Sequence, residues 1–165
     1  MTPFPPADDA APAAFDEVVD RGSWQAFIPS LARYLDESPA GTTILLTAPA
    51  VVVTEESVST RGGLRTWLRR GPRRVPSPEV PGLVLLVRSD GVELDVPVLD
   101  AQGRVLVGED ACDELALLGW ARVEDLLRRL VPEASEAAEG ATRVLIETLH
   151  VSHPADLDQL VTIAS

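Results

Sequence analysis

The chain has 165 residues, 26 of them acidic and 14 basic, for a net charge of −12 and a pI near 4.5. That length fits one domain with a buried core, and 45% hydrophobic with 24% charged residues is the composition of a globular protein. So acidic a surface repels nucleic acid and anionic membrane except where cations gather locally, and a single cysteine, Cys112, excludes an internal disulfide.

Residues 1–14 are rich in Pro, Ala and Asp and predict a disordered tail, which leaves 15–165 as one domain. The tail lacks the basic and apolar runs of a signal peptide, and no apolar run approaches the roughly 18 residues of a membrane helix. The expected location is the cytoplasm. In "SWQAFIPSLARYLDESP", Trp24, Phe27, Ile28, Leu31 and Leu35 fall on one helical face, Ser23 stands at the cap position and Pro39 lies past the end. Pro29 lacks a backbone donor, so a kink there, or a start delayed to it, is expected.

"TTILLTAPAVVVT" is β-branched and apolar and predicts one or two strands interrupted at Pro49. Then comes "RGGLRTWLRRGPRR", residues 61–74, with six of the arginines in a chain that has no lysine. Gly62, Gly63, Gly71 and Pro72 bracket it, so the stretch at about 54–81 predicts an Arg-rich loop, with one helical turn at Leu64, Trp67 and Leu68.

"LVLLVRSDGVELDVPV" predicts a β-hairpin turning at Asp90-Gly91. That turn opposes Arg88 to Glu93, Val87 to Leu94, Leu85 to Val96 and Leu83 to Val98. One face is then apolar, and the other carries Leu86 against Asp95 and Val84 against Pro97. "RVLV" at 104–107 predicts a third strand. Helices are expected in "EDACDELALLG", closed by Gly119, in "RVEDLLRRLVP", stopped by Pro132, and in "PEASEAAEGATRVLIETLHV", whose Ala137, Ala141, Val144, Leu145 and Thr148 form a stripe. "HPADLDQLVTIAS" fits either a closing turn or a last strand. Grouped strands and segregated helices predict an α+β fold, an antiparallel sheet with helices packed on it.

No pattern supports catalysis. The spacing of His150 and His153, with Asp156 nearby, could suggest a metal, but Pro154 breaks the helix that would align the ligands. Cys112 sits among Asp110, Asp113 and Glu114, the wrong environment for an activated thiolate. Nearly all the carboxylates lie on solvated helix faces, so no pair stands out as acid and base, and no phosphate-binding loop is present. No enzyme activity, cofactor or metal is expected. Trp120, after a helix-closing glycine, is expected to fold back into the core as an anchor with Leu118 and Gly119, as is Trp24.

Three readings fit the arginine segment. It is a solvated loop balancing local acid, a protein-docking loop in which Trp67 and Leu68 act with Arg65, Arg69 and Arg70, or a polyanion site. The expected use is against protein carboxylates: a lone tryptophan in so acidic a chain makes a poor nucleic-acid groove. Val84 and Leu86, on the mixed hairpin face, are the other candidate partner-binding residues, as an apolar patch.

"GLVLLVRSDGVELDVPVL", "ELALLGW" and "ATRVLIETLHVSHPADL", in that order after an early helix with Trp24, resemble the YbjN and type III secretion chaperone-like proteins, particularly the actinobacterial branch called TY-Chap. The resemblance covers about residues 20–160. It implies a small α+β domain, often a homodimer, that binds a client protein or peptide without chemistry. The stretch at about 54–81 is longer than that pattern has, and the aromatic-rich segment expected after Leu118-Gly119-Trp120 is absent.

Overall fold

The computed structural model describes residues 13–49 and 80–164. The chain order is α1 (Phe15–Val18), α2 (Trp24–Glu37), β1 (Thr42–Thr47), β2 (Gly82–Arg88), β3 (Gly91–Pro97), α3 (Glu109–Leu117), β4 (Ala121–Val123), β5 (Leu126–Val131), α4 (Ala134–Arg143) and β6 (Asp158–Ile163). The strands form one open antiparallel sheet in the order β4-β5-β3-β2-β1-β6. Helices α2 and α4 pack on one of its faces, so the fold is α+β as the sequence predicts.

Alternation along the strands sorts residues between the two faces. Leu83, Leu85 and Val87 of β2, with Val92, Leu94 and Val96 of β3, point to the helices and are buried. From the other side Phe27, Leu31 and Leu35 of α2 meet them, and Ala137 and Ala141 let α4 come close. Helix α2 begins at Trp24, where the Ser23 hydroxyl accepts from the Ala26 N–H at 3.1 Å, and continues through Pro29 on its exposed side. Its start is therefore not delayed to the proline. Phe15 of α1, absent from the sequence-based elements, is buried edge-on against Tyr34.

The hairpin forms, but in another register. Leu85 pairs with Leu94, Val87 with Val92, Leu86 with Glu93 and Val84 with Asp95, so Ser89-Asp90 is the turn and Leu85 is not opposite Val96. Neither Ser89 nor Asp90 has a positive φ, whereas Gly91 does, at 144°. An Asp-Gly turn of the usual hairpin type needs positive φ at both central residues. A shift of two residues keeps every side chain on its expected face, so Leu85 and Val96 are both in the core.

Two other elements differ from expectation. The segment "RVEDLLRRLVP" is not a helix but the end of β4, a turn at Glu124-Asp125 with Glu124 at φ 51°, and β5. Its leucines fit both periods; pairing all six residues of β5 with β3 satisfies a strand edge that a helix would leave open. "RVLV" is not a third strand, and only Leu99 and Val105 form an isolated bridge. Asp100, its side chain 1% exposed, instead winds residues 100–104 into a loop, accepting from the N–H groups of Gln102 and Arg104 and from Arg104 Nε at 2.6 Å.

Burial alone raises the pKa of Asp100, but these hydrogen bonds outweigh it and hold the carboxyl below its ordinary 3.8. A lowered folded-state pKa contributes stability that is present above 3.8 and lost as pH falls through the folded value. Asp100→Asn should therefore destabilise the protein at pH 6, and the gap to the parent in urea unfolding should narrow toward pH 3. A gap independent of pH would show that the carboxylate charge is not what holds the loop.

The last predicted helix runs as α4 to Arg143 and then widens into a π turn, Val144–Thr148, ending at His150 with φ 55°. The closing segment is a 3-10 turn, Pro154–Asp156, and then the last strand, β6.

Candidate functional site

The sheet face opposite α2 and α4 is built as cross-strand rows. One row runs from Leu160 of β6 through Leu45 of β1, Val84 of β2 and Asp95 of β3 to Arg128 of β5. The next runs Thr162, Thr43, Leu86, Glu93, Leu130. The first row is therefore divided, apolar over β6, β1 and β2 and charged over β3 and β5, while the second is apolar at Leu86 and Leu130, with threonines over β6 and β1 and Glu93 over β3. Val84 and Leu86 are half-buried there, beside half-buried Leu45, while Leu160 is 59% exposed.

The charged half is a closed network. Arg128 grips Asp95 with two nitrogens, at 2.8 and 3.0 Å, and reaches Glu93 at 3.1 Å. Arg88 holds the other oxygen of Glu93 at 2.6 Å and Asp90 at 3.2 Å. The hydrogen bonds that Arg128 donates to Asp95 are the main cause of its raised pKa, opposed by burial and helped by the charges of Asp95 and Glu93. Glu93 has a side chain only 7% exposed, and each of its oxygens is paired with an arginine. Every carboxylate in the network is bound to a guanidinium, which suits holding a fixed pattern of charge and leaves no free acid and base pair.

Beside this face, β6 is the long edge of the sheet and, among the described residues, pairs only with β1. It contains no proline and no cation, the usual blocks to strand addition.

Arg65, Trp67, Leu68, Arg69 and Arg70 lie outside the described residues. Trp24 is half-buried, stacks edge-on against Phe27 and donates to the Ser152 carbonyl at 3.2 Å. Trp120 is buried and Gly119 takes the positive φ of 92° that ends α3. Leu118 is 41% exposed and contributes less burial than an anchor would. Cys112 is buried, with Sγ facing the Val107 carbonyl. The His153 ring accepts from the Ala155 N–H through Nδ1 and meets the Gly22 carbonyl through Nε2, so it ties the end of the domain to the start of α2. Among the described residues no three of His, Cys, Asp or Glu are grouped to hold a metal, and no helix is long and apolar enough to cross a membrane.

Of the face, the sequence pointed to Val84 and Leu86. Leu45, Leu160 and Arg128 escaped it because they join the face only through pairings distant in the chain.

No curated protein and no solved structure matches the chain. A family model does, over residues 16–161, and its description is T3SS (YopN, CesT) and YbjN peptide-binding chaperone 3. A match of that extent, on a six-stranded antiparallel sheet with helices on one face, means that this chain belongs to the TY-Chap3 family of peptide-binding chaperones.

Proposed function

We propose that the protein shields a segment of a client protein on the open face of its sheet and along the β6 edge, without catalysing a reaction. The observation that carries this is the Leu160–Leu45–Val84 row: an apolar strip on the face away from α2 and α4, running to an edge strand with one neighbour among the described residues. An extended client segment would add backbone hydrogen bonds to β6 and set alternate side chains on the strip. On this reading the protein works in the cytoplasm, needs no cofactor, and a homodimer would use the same free edge.

The test is titration of a labelled, uncharged, Leu- and Val-rich unstructured peptide. Leu160→Asp and Leu86→Glu should each weaken binding about tenfold or more, the loss expected when an apolar contact of about 1.4 kcal/mol or more goes. Raising the salt should change the parent affinity little, because apolar burial is not screened. Affinity indifferent to both substitutions would refute the reading.

For the arginine segment we propose contact with protein carboxylates, on a client or a second copy. Its six arginines stand in a chain with 26 acidic residues. Labelled single-stranded and duplex DNA and RNA at about 0.15 M salt, a screening length near 8 Å, should not bind more tightly than the nonspecific range of about 10⁻⁴–10⁻⁶ M. Replacing Arg65, Arg69 and Arg70 by Ser should change client capture or oligomeric state instead. Tight nucleic-acid binding lost in that variant would reverse the assignment to polyanion binding.

A further inference from the structure

The helix side of the molecule carries a second recess, remote from the open face. It lies between the end of α3 and α4, with a volume of about 330 Å³; Leu115, Leu118, Trp120 and Val144 line its apolar side, Gly140 lies along α4, and Arg129, Glu136, Glu139 and Arg143 form its charged side. Leu115, Trp120 and Val144 are buried side chains of the core, so the floor is apolar and fixed. Leu118 is 41% and Leu117 89% exposed beside it, an apolar rim that nothing among the described residues covers.

Gly140 is the second observation. It sits inside α4, where a glycine is destabilising relative to alanine. Packing does not demand it. A Cβ built there would have Arg129 Nη1 and Leu94 Cδ2 as nearest neighbours, both at 3.8 Å, which is ordinary contact. Its φ is not positive either. What the missing side chain does is leave the recess open along α4.

Charge defines what would enter. Helix α3 carries Glu109, Asp110, Asp113 and Glu114 and no cation. Around α4 and its π turn stand Glu133, Glu136, Glu139 and Glu147, against Arg143 alone. Arg129, from β5, is bound to Glu136 at 2.8 Å, and Arg143 to Glu147 at 3.2 Å. The wall itself thus balances Glu136 and Glu139 against Arg129 and Arg143, and the excess of acid comes from the four carboxylates of α3 and from Glu133 and Glu147 around it.

We propose that this recess is an anchor site for a basic segment of the client, taking one leucine- or phenylalanine-sized side chain while flanking arginines or lysines meet the α3 and α4 carboxylates. A recess at the small end of the roughly 300–1,000 Å³ range of ligand clefts suits a side chain rather than a cofactor. The inference rests on the peptide-binding reading above and adds to it the position and charge class of a second contact.

The full-length protein, with Trp24 and Trp67 replaced by Phe so that Trp120 reports alone, is titrated with three peptides. One has a single Phe among four arginines, one has Glu for each Arg, and one has Ala for the Phe. The basic Phe peptide should shift the Trp120 emission and bind about tenfold or more tightly than either twin, with its affinity falling as salt rises. Gly140→Met, which fills the recess, and Leu118→Asp, at an exposed position, should each weaken it about tenfold. Gly140→Ala should raise thermal stability and weaken binding less, which separates occlusion from misfolding. Equal binding of the Glu peptide, no binding of the basic Phe peptide, or indifference to both Gly140→Met and Leu118→Asp in folded protein would overturn the site. If the uncharged Leu- and Val-rich peptide still responds to Leu160→Asp, the sheet-face reading survives that failure; if it does not, both fall.

Discussion

Leu85→Ala is expected to cost about 2–5 kcal/mol of stability. Leu85 has no exposed surface, pairs with Leu94 at the centre of the sheet, and lies on the face that α2 and α4 cover. Truncation removes the transfer energy of three carbon groups and leaves a cavity between layers that cannot fully close. Against a total of about 5–15 kcal/mol for a domain, that is a large fraction. Urea unfolding should show a lower midpoint with an unchanged slope, since the surface exposed on unfolding is nearly the same. A loss below about 1 kcal/mol would mean that the site is not packed as described.

Gly91→Ala should be comparably damaging for a different reason. Gly91 opens β3 with φ at 144°, where an L side chain is strained by about 1–3 kcal/mol. A Cβ there would also overlap the Val131 carbonyl oxygen and come within 3.0 Å of Pro132 Cα, both backbone atoms that cannot swing away. Overpacking adds about 1–3 kcal/mol more. Gly103→Ala is the control: φ is positive at 78°, but nothing lies within 4 Å of a Cβ, so only the strain remains. Thermal melts should rank Gly91→Ala well below Gly103→Ala; equal melting temperatures would show that strand β5 yields.

The same glycine explains where the sequence misleads. Asp90-Gly91 is the pattern of a two-residue hairpin turn, yet here Gly91 serves the close passage of the β5 end, a neighbour forty residues on in the chain. The alternation survived because the register moved by two. Helices α2 and α3 were legible because cap, spacing and stop agree locally, from Ser23 and from Gly119. Strand β5 was not, because Leu126, Leu127 and Leu130 satisfy a helical stripe equally well, and the choice is made by the open edge of β3. The face was half legible for the same reason. Val84 and Leu86 follow from alternation within one hairpin, whereas Leu160 arrives by pairing with Leu45, and Arg128 only once β5 is a strand.

That pairing of β1 with β6 joins residue 42 to residue 163. Synthesis therefore delivers the two strands far apart in time, at about 5–20 residues per second on a ribosome. The β2–β3 hairpin closes locally and early, and β1 adds to it across the segment at 48–81, but the outer hydrogen-bonding edge of β1 has no partner until the last strand emerges. During that interval a nascent chain presents the backbone N–H and C=O groups of one β1 edge without their β6 partners, the form of exposure that leads to aggregation. A member of a peptide-binding chaperone family thus passes through a stage at which the edge of its own first strand is open.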